Sequence, residues 1–133
     1  MKFCLIIFLI LFTSCSSKDN FKNPNNASEM AILMRDMQFQ LKDLQDEILN
    51  GNNISDIRLN FDFIHEKKPT DSSFLVQNLT FMSKSFNESV QSFNENPSTE
   101  RYTNIVSQCI SCHQNLCPGP LDAIIKLNKI NSQ

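Results

Sequence analysis

The stretch SEMAILMRDMQFQLKDLQDEILNG, residues 28–51, decides the fold class. Its apolar side chains recur at intervals of four and three residues, which places them on one face of an α-helix. Ser28 and Glu29 suit the beginning of a helix, and Gly51 suits its end. The stretch therefore predicts an amphipathic helix that must bury one stripe against other elements. The stripe consists of Met30, Met34, Met37, Leu41, Leu44 and Ile48, and Leu33 widens it.

Three further segments have the same spacing and predict three more helices. Each is followed by a proline, which disfavours continuation of a helix. Pro97 also suits the first turn of the fourth helix. The segments cover residues 54–64, 75–93 and 102–113, and the prolines that follow them are Pro69, Pro97 and Pro118.

The composition favours a helical fold of one domain. The chain has 133 residues, only 2 of them glycine, which argues against a turn-rich β fold. Because the linkers between the predicted helices are short, the simplest architecture is an all-α antiparallel four-helix bundle over residues 28–133. Residues 121–130 form a tail that can add one more helical piece.

The N-terminus has the pattern of an export signal. Lys2 precedes an apolar run over residues 3–12, which is shorter than the roughly 18 residues that a spanning helix needs. Residues 12–15, Phe-Thr-Ser-Cys, resemble a bacterial lipobox, in which the cysteine is lipidated and becomes the mature N-terminus. We therefore predict a lipoprotein signal peptide over residues 1–14 and a lipid on Cys15. A plain secretory signal or a retained short anchor are the alternatives.

Residues 15–27 are predicted to form a flexible tether between the lipid and the domain. They are polar and contain Pro24 and several asparagines without helical or alternating spacing. The alternative is an arm packed loosely on the bundle.

A lipid anchor predicts an exported domain held on the cell envelope and facing the periplasm or the cell exterior. The net charge of −2 and the lack of a basic cluster give no reason to expect nucleic acid.

The sequence CISCH, residues 109–113, carries the chemistry. Two cysteines separated by two residues and followed by histidine are the pattern of c-type haem attachment. Helix positions three or four residues apart lie on one face, so Cys109, Cys112 and His113 are expected to face the bundle interior. The thiols would form thioethers with the haem vinyl groups, and His113 would bind the iron from the same side. We therefore predict one haem c on the last long helix, in agreement with export.

The same residues could serve other purposes. A redox-active CxxC usually opens a helix after a strand, and no strand is predicted. Zinc bound by Cys109, Cys112, His113 and Cys117 would crowd four ligands into one short run. A structural disulfide is a further possibility. Haem attachment leaves Cys117 without a role, and this residue either packs the 117–120 turn against the haem edge or forms an intermolecular disulfide in a homodimer.

The position of CISCH near the C-terminus, on the last long helix, resembles the cytochrome c′ family, the class II cytochromes c. The resemblance covers roughly residues 28–116 and rests on this late motif, four amphipathic helices and a methionine-rich first helix. It implies that a residue of the first helix covers the distal face of the haem. In low-spin members that residue is a methionine bound to iron, and in high-spin members an apolar side chain leaves the site open.

The resemblance implies Met34 as the sixth iron ligand, because Met34 stands three positions before Met37 on the same face. Met37 is the second choice, and core packing by all the methionines is the alternative. His65 is the other possible iron ligand, but its charged neighbours favour a solvated surface residue. Candidates for pairing with the haem propionates, or else ordinary surface charges, are Arg35, Lys42 and Arg101.

The sequence thus predicts a monohaem cytochrome that transfers single electrons to redox partner proteins of the cell envelope. A five-coordinate haem protein that binds nitric oxide or carbon monoxide is the alternative. An enzyme is not expected, because no paired carboxylates, Ser/His set or glycine-rich phosphate loop occur at a recognisable spacing.

Overall fold

The computed structural model describes residues 26–130. In this part all regular structure is helical and there is no β-strand, which confirms the predicted all-α class. No helix between residues 26 and 130 is long and apolar enough to cross a membrane. The predictions for the signal peptide, for Cys15 and for most of the tether concern residues 1–25, which lie outside the described part.

The described part has four α-helices and two single 3-10 turns. The α-helices are α1 (Glu29–Leu49), α2 (Leu79–Glu95), α3 (Thr99–Leu116) and α4 (Leu121–Leu127), and the 3-10 turns are at Ile64–Glu66 and Ser72–Phe74.

Local signals fix the ends of α1 and α3. The Ser28 hydroxyl accepts a hydrogen bond from the backbone N–H of Ala31 at 3.2 Å and caps α1. Gly51 follows the helix with a φ of 70°, a left-handed conformation that glycine adopts without strain. Ser98 caps α3, so Pro97 precedes the cap and does not occupy the first turn as predicted.

The predicted helix over residues 54–64 is wrong. Residues 50–63 form turns and extended chain, and only a 3-10 turn begins at Ile64. Side chains of α2 bind the backbone of this segment: Asn94 Nδ2 donates to the Leu59 carbonyl at 2.7 Å, and the Leu59 N–H donates to Asn94 Oδ1 at 2.8 Å. Two similar bonds follow, from Asn87 Nδ2 to the Phe61 carbonyl (3.1 Å) and from the Ile64 N–H to Ser83 Oγ (2.9 Å).

These bonds explain why the segment is not helical. As the residue number rises along 59–64, its partners fall along α2 from Asn94 to Ser83, so the segment runs antiparallel to that helix. Both backbone groups of Leu59, the Phe61 carbonyl and the Ile64 N–H are satisfied by side chains of α2 and need no internal helical bonds. Leu59 and Phe61 are both buried while the residues next to them are exposed or half-buried, which is the alternation of an extended chain.

Helix α2 begins later in the chain than the sequence predicts. The apolar spacing predicts a start at residue 75, but α2 begins at Leu79, and the side chain of Leu75 is exposed. Upstream, the Asp71 carboxylate accepts a hydrogen bond from the Ser73 N–H at 2.8 Å and stabilises a local turn. Such a turn offers the backbone an alternative to helix, which delays the start of α2.

Helices α2 and α3 form an antiparallel pair that builds much of the core. Residues 96–98 join them, and the Arg101 guanidinium on α3 donates to the Ser92 carbonyl near the end of α2. Further along α3, Gln108 donates to Ser89, which lies earlier in α2. The side chains that are fully enclosed within this pair are Phe93, Tyr102, Ile105 and Val106.

Helix α1 is attached to the rest of the structure near both ends. At its beginning, the Met30 N–H donates to the Lys68 carbonyl at 3.0 Å. Toward its end, the buried Gln45 amide donates to the Lys126 and Leu127 carbonyls of α4 at 2.8 and 3.0 Å. The Tyr102 hydroxyl of α3 donates to the same Leu127 carbonyl at 3.0 Å. The middle of α1 is thus held opposite α3 without being packed tightly on it.

Candidate functional site

The C-terminal half of α3 forms one wall of a cavity that is partly open to solvent. Cys109, Cys112 and His113 all line this cavity, which has a volume of about 380 Å³. Their spacing of three and one residues places the three side chains on the same face of α3. The structure therefore brings together the three residues that the sequence predicts as the attachment site.

The opposite wall is formed by the middle of α1. Met34 and Met37 line this cavity and also an adjoining cavity of about 380 Å³. Both volumes lie within the range of about 300–1,000 Å³ that is typical of small-molecule sites. Together they make one predominantly apolar space, which lies between α1 and α3 and extends along α2. The residues common to both are Met34, Met37, Ile64, Leu79, Cys109, Cys112 and His113.

The imidazole of His113 is oriented by the backbone. Its Nδ1 lies 2.9 Å from the carbonyl oxygen of Cys117. A carbonyl only accepts hydrogen bonds, so Nδ1 must carry the proton. In the neutral ring the Nε2 lone pair is then available for a metal, as is usual for histidine ligands.

Burial shifts the pKa of both cavity thiols in the same direction. Burial raises the pKa of Cys109 to about 12, and the neighbouring Cys112 contributes to this shift. Burial also raises the pKa of Cys112, with a smaller contribution from Cys117.

The arrangement of the cysteines bears on zinc binding and on a disulfide. Within residues 26–130, no three His, Cys, Asp or Glu side chains converge as a metal-binding cluster. Cys109, Cys112 and Cys117 are all free thiols, so a structural disulfide among them is not formed. Cys117 lines the first cavity through its half-buried side chain.

The three candidate propionate partners differ in their surroundings. Arg35 lines the first cavity from the exposed side of α1. Lys42 instead pairs with Asp46 one turn further along α1. Arg101 binds the carbonyl of Ser92. Arg35 is the one Lys, Arg, Asp or Glu residue in the lining of the two cavities, which leaves it as the candidate for an anionic edge of a ligand.

His65 lies elsewhere and is not in the lining of either cavity. Its ring is tilted against Phe63, with the centroids 5.3 Å apart. The prediction of a solvated surface residue is wrong, because the side chain is half-buried and its Nδ1 is buried without a hydrogen-bond partner in the described part of the chain.

One contributor to the site is not predicted from the sequence, namely the backbone carbonyl of Cys117. Residue type says little about where a carbonyl points, but the Cys117-Pro118 pair is a usable signal, since proline restricts the residue before it. The contributions of α4 are also not predicted, because Ile124 and Leu127 reach the first cavity only through tertiary packing.

The residues that line this space fit a haem. Cys109, Cys112 and His113 line it from α3, Met34 and Met37 from α1, and Arg35 is the one charged residue among the described residues that line it. These residue types suit an apolar macrocycle that carries iron and carboxylates. No protein-family model matches the chain, and no curated protein or solved structure is significantly similar to it.

Proposed function

We propose that this chain is a monohaem c-type cytochrome that carries out one-electron transfer at the cell envelope. The observation that supports this best is the apolar space between α1 and α3, with Cys109, Cys112 and His113 on one wall and Met34 on the other. The CISCH pattern and the cavity support haem binding separately. The pattern lies within α3, whereas the cavity forms only because α1 stands opposite α3.

Each residue would have a distinct role. Cys109 and Cys112 would hold the haem as thioethers, and His113 would bind the iron through Nε2 because its Nδ1 is engaged by Cys117. Met34 would close the opposite face, and Arg35 would pair with a propionate. When bound, haem supplies an iron that alternates between the ferrous and ferric states. The apolar lining would exclude water from it.

The proposal extends to the class of cytochrome. The haem would lie on α3, the last long helix, in a class II arrangement like that of the cytochrome c′ family. With residues 54–64 not helical, α4 would be the fourth helix of the bundle, because it is bonded to both α1 and α3. No catalytic role is proposed.

We further propose that a lipid on Cys15 holds the domain on the cell envelope. The supporting observation is the apolar run that ends in Phe-Thr-Ser-Cys at residues 12–15. The partners would be redox proteins of the same compartment, which approach the haem edge.

A redox titration tests the proposed function. The protein is produced with c-type maturation machinery and titrated in a spectroelectrochemical cell. We expect a single reversible one-electron transition, with the haem retained over repeated cycles because it is covalently held. A protein that loads no haem, or a haem that is not reversibly reduced and reoxidised, would contradict electron transfer.

A further inference from the structure

Cys117, in the turn that ends α3, is hydrogen-bonded to His113 through both its backbone N–H and its backbone carbonyl. The N–H of Cys117 donates to the His113 carbonyl at 3.2 Å, and the carbonyl of Cys117 accepts from His113 Nδ1 at 2.9 Å. The first bond caps the helix, whereas the second holds a side chain that faces the cavity. One residue thus connects the end of α3 with the orientation of the imidazole.

Pro118 accounts for this conformation. A proline disfavours the α region for the residue before it, and Cys117 has φ −149° and ψ 80°, well outside that region. The helix therefore ends, and the Cys117 carbonyl turns toward the His113 ring instead of continuing along the helix axis. The turn is also fixed downstream, because the Leu121 N–H donates to the Pro118 carbonyl at 3.0 Å.

We propose that the Cys117-Pro118 turn is a positioning device that sets the strength of His113 as an iron ligand. A hydrogen bond from Nδ1–H to a carbonyl fixes the tautomer and ring orientation and raises the basicity of the other nitrogen. A more basic ligand stabilises the ferric state, so the turn lowers the midpoint potential. This inference rests on the proposed haem function and adds the residue that tunes it.

The test compares haem-loaded wild type with the Pro118→Ala variant. Alanine permits a helical conformation at Cys117, which turns its carbonyl away from the ring. We expect a higher midpoint potential. The iron–histidine stretching frequency is read by resonance Raman in the five-coordinate ferrous haem that Met34→Ala produces, and it should be lower when Pro118→Ala is added. Pro97→Ala, the same change at the other end of α3, is the control because Pro97 is outside the lining of both cavities. Pro97→Ala should leave both the midpoint potential and the iron–histidine stretching frequency unchanged.

A second measurement needs no variant. In the ferrous wild-type protein, the His113 Nδ1–H should exchange slowly with solvent by NMR, because it is hydrogen-bonded. Exchange as fast as that of an exposed imidazole would overturn the proposal, even where Pro118→Ala does not fold. A folded Pro118→Ala protein with the wild-type potential, and with no change of stretching frequency in the Met34→Ala background, would also overturn it. Failure of the wild type to load haem would instead remove the proposed function itself.

Discussion

Among single residues, the two methionines opposite His113 have different surroundings. Met37 is buried, with 4% of its side chain exposed, whereas Met34 is half-buried, and both line the two cavities. A buried methionine contributes packing whether or not it binds iron. The half-buried Met34 has less packing to lose, so substitutions can separate ligation from packing.

Met34→Ala is expected to convert a low-spin ferric haem to high-spin. Thioether ligation closes the iron to small ligands, so its loss should also permit binding of carbon monoxide or nitric oxide. The visible spectrum reports both changes, through loss of the weak far-red sulfur-to-iron band and a shift on addition of carbon monoxide.

Met37→Ala is the matched variant and should keep the low-spin spectrum. Its expected effect is a loss of stability of about 2–5 kcal/mol, the usual cost of truncating a buried methionine. A spin-state change in Met37→Ala alone would make Met37 the ligand. A wild type that is already high-spin and binds carbon monoxide readily would contradict methionine ligation and favour a gas-binding protein.

Among the elements, the extended segment on α2 depends on one side chain at its beginning. Asn94 binds both the N–H and the carbonyl of Leu59, and Leu59 is buried. Asn94→Ala should therefore lower the free energy of unfolding by about 1–3 kcal/mol, the cost of an unsatisfied buried polar group. Urea unfolding measures this difference.

Asn104→Ala is the control for this prediction. Asn104 is exposed, and its amide makes a 3.4 Å contact with Ser89 Oγ. Its replacement should change stability by no more than about 0.5 kcal/mol. Equal stability of the two variants would mean that the segment is not held by Asn94.

This segment also shows why part of the fold could not be predicted from the sequence. Helices α1 and α3 were predictable because their signals are local: recurring apolar side chains, a serine and a glycine at the two ends of α1, and a proline beyond the end of α3. Ile54, Ile57, Phe61 and Ile64 have helical spacing, yet they do not form a helix. The first two lie in a turn, and the later part is extended because its backbone partners lie 19 to 35 residues away on α2. The alternation of Leu59 and Phe61 was the local signal for the observed structure.

The candidate site could likewise be predicted only in part from the sequence. Cys109, Cys112 and His113 could be predicted to share a wall because one helix carries all three. Met34 came from a family resemblance, and its position opposite them required tertiary structure. The bond from His113 to the Cys117 carbonyl depends on a backbone direction, of which Pro118 was the one sequence signal.

At the scale of the whole molecule, the attachment of α1 explains how a packed protein keeps an apolar space. Its beginning is bonded to Lys68 and its later part to α4, so its middle can stand away from α3. A ligand that fills this space would add packing contacts to both helices. Binding to the folded state alone stabilises that state.

The proposed lipid anchor is also tested on the whole chain. Cys15→Ala should release the domain from the membrane fraction or leave an unprocessed precursor. Residues 16–27 contain no apolar stretch that could hold a membrane by itself. Cys4→Ala is the matched control and should have no effect, because Cys4 lies within the predicted signal peptide. Unchanged processing and membrane retention in Cys15→Ala would remove the lipoprotein proposal.

The most direct test of the proposed haem attachment is the mass of the purified protein under denaturing conditions, after expression with c-type maturation machinery. We predict the mass of the chain from Cys15 onward with its lipid and one haem. The haem mass should be lost in a Cys109→Ala/Cys112→Ala variant and kept in Cys117→Ser. Cys117→Ser is the control for the general effect of removing a thiol, because Cys117 lines the same cavity between α1 and α3. A wild-type chain without haem, or one that holds stoichiometric zinc in its place under native conditions, would contradict covalent haem attachment.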